Sequence, residues 1–235
     1  QGDARAEVAG PALAPDQDRL TAMSGQRVPG APRGSGAWPP APEFFAVVGL
    51  GAAHSLPFVS TAAWPLQLLC VALFAWRLSS ATPVRAALLG WAFGTAWLSC
   101  AIWWLFISMH FYGGLPAWLA GLAVFALCAG MALFLAAAAA TFARYRRGWL
   151  AGDTLLFAAL WLLAELTRGL LFTGLPWVAS GYAHVDSPLA ALAPWLGVYG
   201  IGGVATVLAA APALSGASHV SLWKPLLGAI AVMTG

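Results

Sequence analysis

AALLGWAFGTAWLSCAIWWLFISMHFYGGLPAWLAGLAVFALCAGMALFLAAAAATFA, residues 86–143, contains no Asp, Glu, Lys or Arg and only one histidine, His110. A helix at a water interface keeps a polar face, and this stretch has none. Nor does it alternate with period two, as a barrel strand would. Hydrocarbon tolerates backbone only as helix or closed barrel, so long unbroken apolar runs of this kind read as spanning helices. The wider composition agrees. Of 235 residues, 61% are apolar and 8% are charged, against roughly 25% charged in a soluble domain. The predicted fold class is an all-α membrane protein: a polytopic transmembrane helix bundle of about six to seven spans.

Working outward, residues 1–43 are rich in Gly, Pro and Ala, mix both signs of charge and lack apolar periodicity, which predicts a disordered tail. The tail has no apolar core of the signal-peptide kind. The chain opens on Gln1, and Met23 is a candidate initiator. The rest, 44–235, is expected to form the transmembrane domain. Its spans are expected near 44–58, 62–76, 86–109, 115–143, 153–172 and 189–214, with a seventh from 222 that is cut off at 235. At about 20 residues per span, the first two are short. Gly90 and Gly94 form a G-x-x-x-G pattern that favours close helix contact.

The arginines orient the bundle. Arg77 and Arg85 fall between the second and third segments, Arg144, Arg146 and Arg147 between the fourth and fifth, and Lys224 opens the seventh. The loops around Pro57, over 110–116 and over 173–188 hold no Lys or Arg. The positive-inside rule then puts the tail and the Arg loops in the cytoplasm and the three charge-poor loops outside. The formal charge of +3 is therefore a topology signal and not a nucleic-acid patch.

On this threading Glu165 and Arg168 lie in the last outer turns of the fifth span. Their i, i+3 spacing puts them on one helix face within pairing reach. Ionisable groups in a span are costly and face the bundle interior or a polar cavity. Two readings stay open: the two residues neutralise each other, or Arg168 offers its fork to a lipid phosphate while Glu165 orients it. Beyond them Gly174 and Pro176 end the helix, and Trp177 and Tyr182 sit at headgroup depth, where aromatic belts also form. His110 and Tyr112 repeat the pattern in the neighbouring outer loop. These eight residues are the candidate lipid- or substrate-binding site. Cys70, Cys100 and Cys128 stand singly in apolar runs, without metal spacing or thiolate-favouring neighbours, and are expected to be small buried hydrophobes. No catalytic residue, metal site or cofactor is expected in this chain.

The segment ELTRGLLFTGLPWVASGYAHVDSPLAALAPWLGVYG (165–200) resembles the fifth and sixth spans of the apolipoprotein N-acyltransferase family. GWAFGTAWLSCAIWWLFISMHFYGGLP (90–116) and HSLPF (54–58) resemble the corresponding earlier stretches. The resemblance covers about 44–235. It implies an enzyme of the bacterial inner membrane, with a cytoplasmic N-terminus, that moves an acyl chain from phospholipid to the N-terminal amine of diacylated lipoproteins. In that family a periplasmic nitrilase-like domain supplies a Glu-Lys-Cys triad, and the cysteine forms a thioester intermediate. The three cysteines here all sit in spans and match no such nucleophile. The chain is therefore expected to seat the phospholipid donor and the lipoprotein acceptor and to be inactive alone, its covalently continuous nitrilase-like domain missing. Composition by itself also leaves open a small transporter or channel, or a non-catalytic membrane scaffold.

Overall fold

The structure is a computed structural model and describes residues 38–171 and 174–215. The tail expected over 1–43 falls largely outside these residues, as do Met23, Lys224 and the expected seventh span. The described chain is helical throughout: α1 Ala41–His54, α2 Trp64–Leu78, α3 Pro83–Ala101, α4 Trp104–Ile107, α5 Ala117–Tyr145, α6 Leu150–Leu170 and α7 Ala193–Leu214. Short 3-10 turns at Leu56–Phe58, Thr61–Ala63, Ser180–His184 and Pro188–Leu192 and a π-helical turn at Ser108–Tyr112 fill the connections at one end.

Among the described residues four helices are long and apolar enough to cross a bilayer, or five if the bent pair formed by α3 and the α4 segment counts as one span. The first expected span forms a helix of 14 residues, shorter than the ~20 a full crossing needs. The third was expected to cover 86–109. It breaks after Ala101 and turns by 55°. A straight helix over 86–109 would measure roughly 36 Å against about 30 Å of hydrocarbon, and a bend is one way to absorb such excess. The bend sends Trp103 and Trp104 outward while Ile102 remains buried.

Small residues set how closely the helices approach. A side chain at Gly90 would meet Ala139 and the Leu135 carbonyl, each at 2.9 Å, so the G-x-x-x-G face of α3 lies directly on α5. Gly51 of α1 crosses α3 at Phe93, where its backbone leaves no room for a Cβ. Between these contacts lies an aromatic core of Phe74, Phe93, Trp97, Phe142, Phe157 and Trp161. Cys70 and Cys128 are buried within the bundle, as expected; Cys100 is not, and stands exposed at the end of α3.

The Arg-bearing connections gather at one end. Glu43, in the first turn of α1, pairs with Arg77 at 2.5 Å and also with Arg85. Helix α1 starts at Ala41, so Glu43 belongs to the bundle and not to the tail. Asp153 caps the turn before α6 by accepting from the backbone N–H groups of Arg147 and Gly148 at 2.9 and 2.8 Å. The opposite end, whose described connecting loops hold no Lys or Arg, carries the site.

Candidate functional site

The last two turns of α6 hold Glu165 and Arg168, each only 4% exposed. The ion pairs among the described residues join Glu43 to Arg77 and Arg85, while Glu165 and Arg168 take other partners. Glu165 Oε1 accepts from the Ser180 backbone N–H at 2.9 Å, from the Ser180 hydroxyl, and from Trp161 Nε1 at 3.3 Å. Gln67 Nε2 of α2 donates to the Ser180 carbonyl at 3.1 Å, and Trp161 Nε1 also reaches Ser180 Oγ at 3.1 Å. Ser180 is thus gripped from two helices.

Arg168 Nη1 donates to the Trp177 carbonyl at 2.8 Å, and its guanidinium lies 5.3 Å from the Trp97 ring centroid, a cation–π distance. Its own carbonyl accepts from Leu175 N–H at 2.8 Å. The chain reverses here through Gly174 at φ 78, a left-handed turn in which a side chain would strike the Gly169 carbonyl.

This reversal brings Pro176, Trp177, Val178 and Tyr182 against Phe58, Val59, Ala101, Trp103 and Trp104, around an open cleft of about 680 Å³. The Trp104 and Trp177 rings meet edge to face at 6.1 Å. Trp177 and Tyr182 are half exposed, at 52% and 50%. Of the eight expected residues, Pro176, Trp177 and Tyr182 therefore line one cleft, with Gly174, Glu165 and Arg168 behind it. His110 and Tyr112 do not line it. His110 bonds through Nδ1 to the Leu115 carbonyl at 2.7 Å, and Tyr112 stands 88% exposed.

The sequence reading missed Trp103, Trp104, Phe58, Gln67 and Ser180. One signal was present for Gln67, a lone amide inside the apolar run WPLQLLCVALFAW, since polar residues within spans are costly and usually have a use. Two histidines lie under the same mouth. His54 is fully buried, with Trp97 at 4.6 Å, Phe93 at 5.3 Å and Trp161 at 5.8 Å from its ring. His184, in the outer turn, is also fully buried, and burial pushes its pKa from 6.5 down to about 4, so it is neutral at pH 7. Among the described residues no three His, Cys, Asp or Glu groups gather as a metal site would require.

Comparison with known proteins gives a consistent picture. Residues 50–211 match the family model described as the apolipoprotein N-acyltransferase N-terminal domain. A protein of Verminephrobacter eiseniae named apolipoprotein N-acyltransferase is 52% identical over 170 residues, covering 69% of this chain and 32% of that protein. Relatives of the same name from Ralstonia nicotianae and Pseudomonas syringae are 45% and 42% identical, over 68% and 62% of this chain and 31% and 30% of their own lengths. The chain thus spans about a third of the length of these curated relatives.

Proposed function

The chain belongs to the apolipoprotein N-acyltransferase family through its N-terminal domain, and on that footing we propose that it forms the membrane seat on which a lipoprotein N-acyltransferase holds its lipid substrates. The reaction moves an acyl chain from a phospholipid to the N-terminal cysteine amine of a diacylated apolipoprotein. A thiol outside this chain displaces the phospholipid ester, giving a thioester and a lysophospholipid. The lipoprotein amine then opens the thioester to an amide and releases the thiol. This chain contributes substrate position.

The cleft between Trp104 and Trp177 is the observation that carries the reading. Its volume of about 680 Å³ lies within the range of about 300–1,000 Å³ common to small-molecule sites. Its walls are aromatic and apolar, as an acyl chain and its glycerol ester require, and it opens at the charge-poor end of the bundle. Pro176, Trp177 and Tyr182 face the lipid, Gly174 sets the turn that aims them, and Glu165 and Arg168 support them from behind. His110 and Tyr112 stand in the neighbouring outer connection. A midplane transporter site would instead require polar groups half-way along the spans, and here they cluster at one end.

The protein sits in the bacterial inner membrane with its N-terminus cytoplasmic and the cleft at the periplasmic leaflet. An impermeant thiol reagent applied outside should modify a cysteine substituted at Tyr112 and spare one at Arg147; the reverse would contradict this orientation. For the seat itself, Trp104→Ala and Trp177→Ala in the complete polypeptide should raise the KM for phospholipid while protein levels hold. Unchanged kinetics in both would contradict the proposal.

A further inference from the structure

Between the two points at which α6 grips the outer loop lies a backbone outlier. Arg168 holds the Trp177 carbonyl and Glu165 holds the Ser180 N–H. Between them Val178 has φ 56, the one non-glycine residue with positive φ among those described. A β-branched residue avoids this region because its Cβ crowds the backbone, so the conformation persists only where the surroundings over-determine it. Here the surroundings are specific. Leu175 is tied to the Arg168 carbonyl, Trp177 to the Arg168 side chain, and Ser180 to both Glu165 and Gln67.

Val178 is also part of the cleft wall, and it packs beside the Leu98, Ile102 and Cys128 group at the end of α3. Its neighbour Trp177 makes the ring contact to Trp104. A relaxed Val178 would swing one or both of these groups, changing the width of the cleft. We infer that Glu165, Gln67 and Arg168 are positioning residues that hold the Trp177–Ser180 wall of the cleft in a strained conformation, so that the two ionisable side chains act on the seat through the loop and not by touching lipid. The consequence for lipid rests on the function proposed above; the clamp itself does not.

Paired spin labels on the complete polypeptide in vesicles test this. Cysteines substituted at Val59 and Tyr182, with exposed Cys100 replaced by alanine, report the distance across the cleft. Wild-type background should give a single narrow distance. Glu165→Ala and Gln67→Ala should each add a second distance, with the ratio of displaced to seated loop rising about tenfold or more, as for loss of a buried hydrogen bond. Glu165→Gln should keep the wild-type distance, because an amide oxygen still accepts from the Ser180 N–H. Val178→Gly in the Glu165→Ala background should restore the single distance, since glycine adopts positive φ without strain.

If Glu165→Gln displaces the loop as fully as Glu165→Ala, charge alone matters and the clamp is overturned. Failure of Val178→Gly to rescue would overturn the role of strain. The same vesicles carry a phosphatidylethanolamine with a photoactivatable acyl chain. Expected distances without labelling of the cleft would support the clamp and contradict the lipid seat. Cleft labelling together with the contrary distances would overturn the clamp alone.

Discussion

The Arg168 side chain ends on the carbonyl of Trp177, at 2.8 Å, and not on the carboxylate three residues before it in α6. One buried cation is therefore spent on backbone geometry in the outer loop, with the Trp97 ring beneath it. Glu165 does the same for Ser180 through its N–H and hydroxyl. The helix face that these two residues share thus becomes a rail, with the loop bolted to it at both ends.

Charge balance and loop position should separate on mutation. Arg168→Gln removes the charged donor from the Trp177 carbonyl and leaves the buried Glu165 carboxyl without a cation nearby, a loss of about 1.5–3 kcal/mol for a hydrogen bond to a charged group, so folded protein should fall. Adding Glu165→Gln should recover the level. Phospholipid-dependent turnover should not recover with it, remaining down about 10- to 100-fold as for a misplaced binding group, because a glutamine at 168 is too short to reach the Trp177 carbonyl. Expression level and turnover measured side by side decide this; full recovery of both would mean the two residues only neutralise each other.

Glycine positions should sort by what faces them. At Gly181 an added Cβ would overlap the Val198 carbonyl, and at Gly51 the Phe93 carbonyl. Gly181→Ala and Gly51→Ala should therefore lower thermal stability in detergent by about 1–3 kcal/mol or more, as overpacking does. Gly130 of α5 faces open space, and Gly130→Ala should be neutral or stabilising by up to about 1 kcal/mol through helix propensity. A tolerated Gly181→Ala would mean that the 180–184 turn is not packed on α7.

Acid should loosen the outer turn. His184 has its pKa lowered from 6.5 to about 4 by burial, so between these values the unfolded chain binds a proton that the folded one refuses. The stabilisation is complete above pH 6.5 and is lost as pH falls toward 4, on the order of 3 kcal/mol in all. Thermal midpoints across this range should decline in the wild type. His184→Phe, which cannot titrate, should flatten that decline; an unchanged slope would assign it to other groups.

Much of this architecture could be read from the sequence, for physical reasons that differ by residue. Arg77 and Arg85 marked one end of the bundle because charge cannot cross hydrocarbon, and the structure gathers both at Glu43. Glu165 and Arg168 announced themselves by their cost inside a span. The break at Ile102 did not, since neither Pro nor Gly occurs there and hydropathy is blind to a bend between apolar residues. Trp103 and Trp104 were consequently read as span interior. The Gln67 contact to Ser180 joins residues far apart in sequence, and no local pattern encodes such a meeting. Val178 is the extreme case. A valine is among the residues least expected at positive φ, so only the tertiary grip on its neighbours could reveal it.

The lipid seat itself is tested most directly by photolabelling. The complete polypeptide, in vesicles containing phosphatidylethanolamine with a diazirine-bearing acyl chain, is irradiated, and the adducts are mapped by mass spectrometry. The account predicts adducts concentrated on Trp103, Trp104, Trp177 and Tyr182, above those on outward-facing Leu122, Phe125 and Leu133 of α5, and reduced when excess unlabelled lipid competes. Equal labelling of both groups, unchanged by competition, would contradict it.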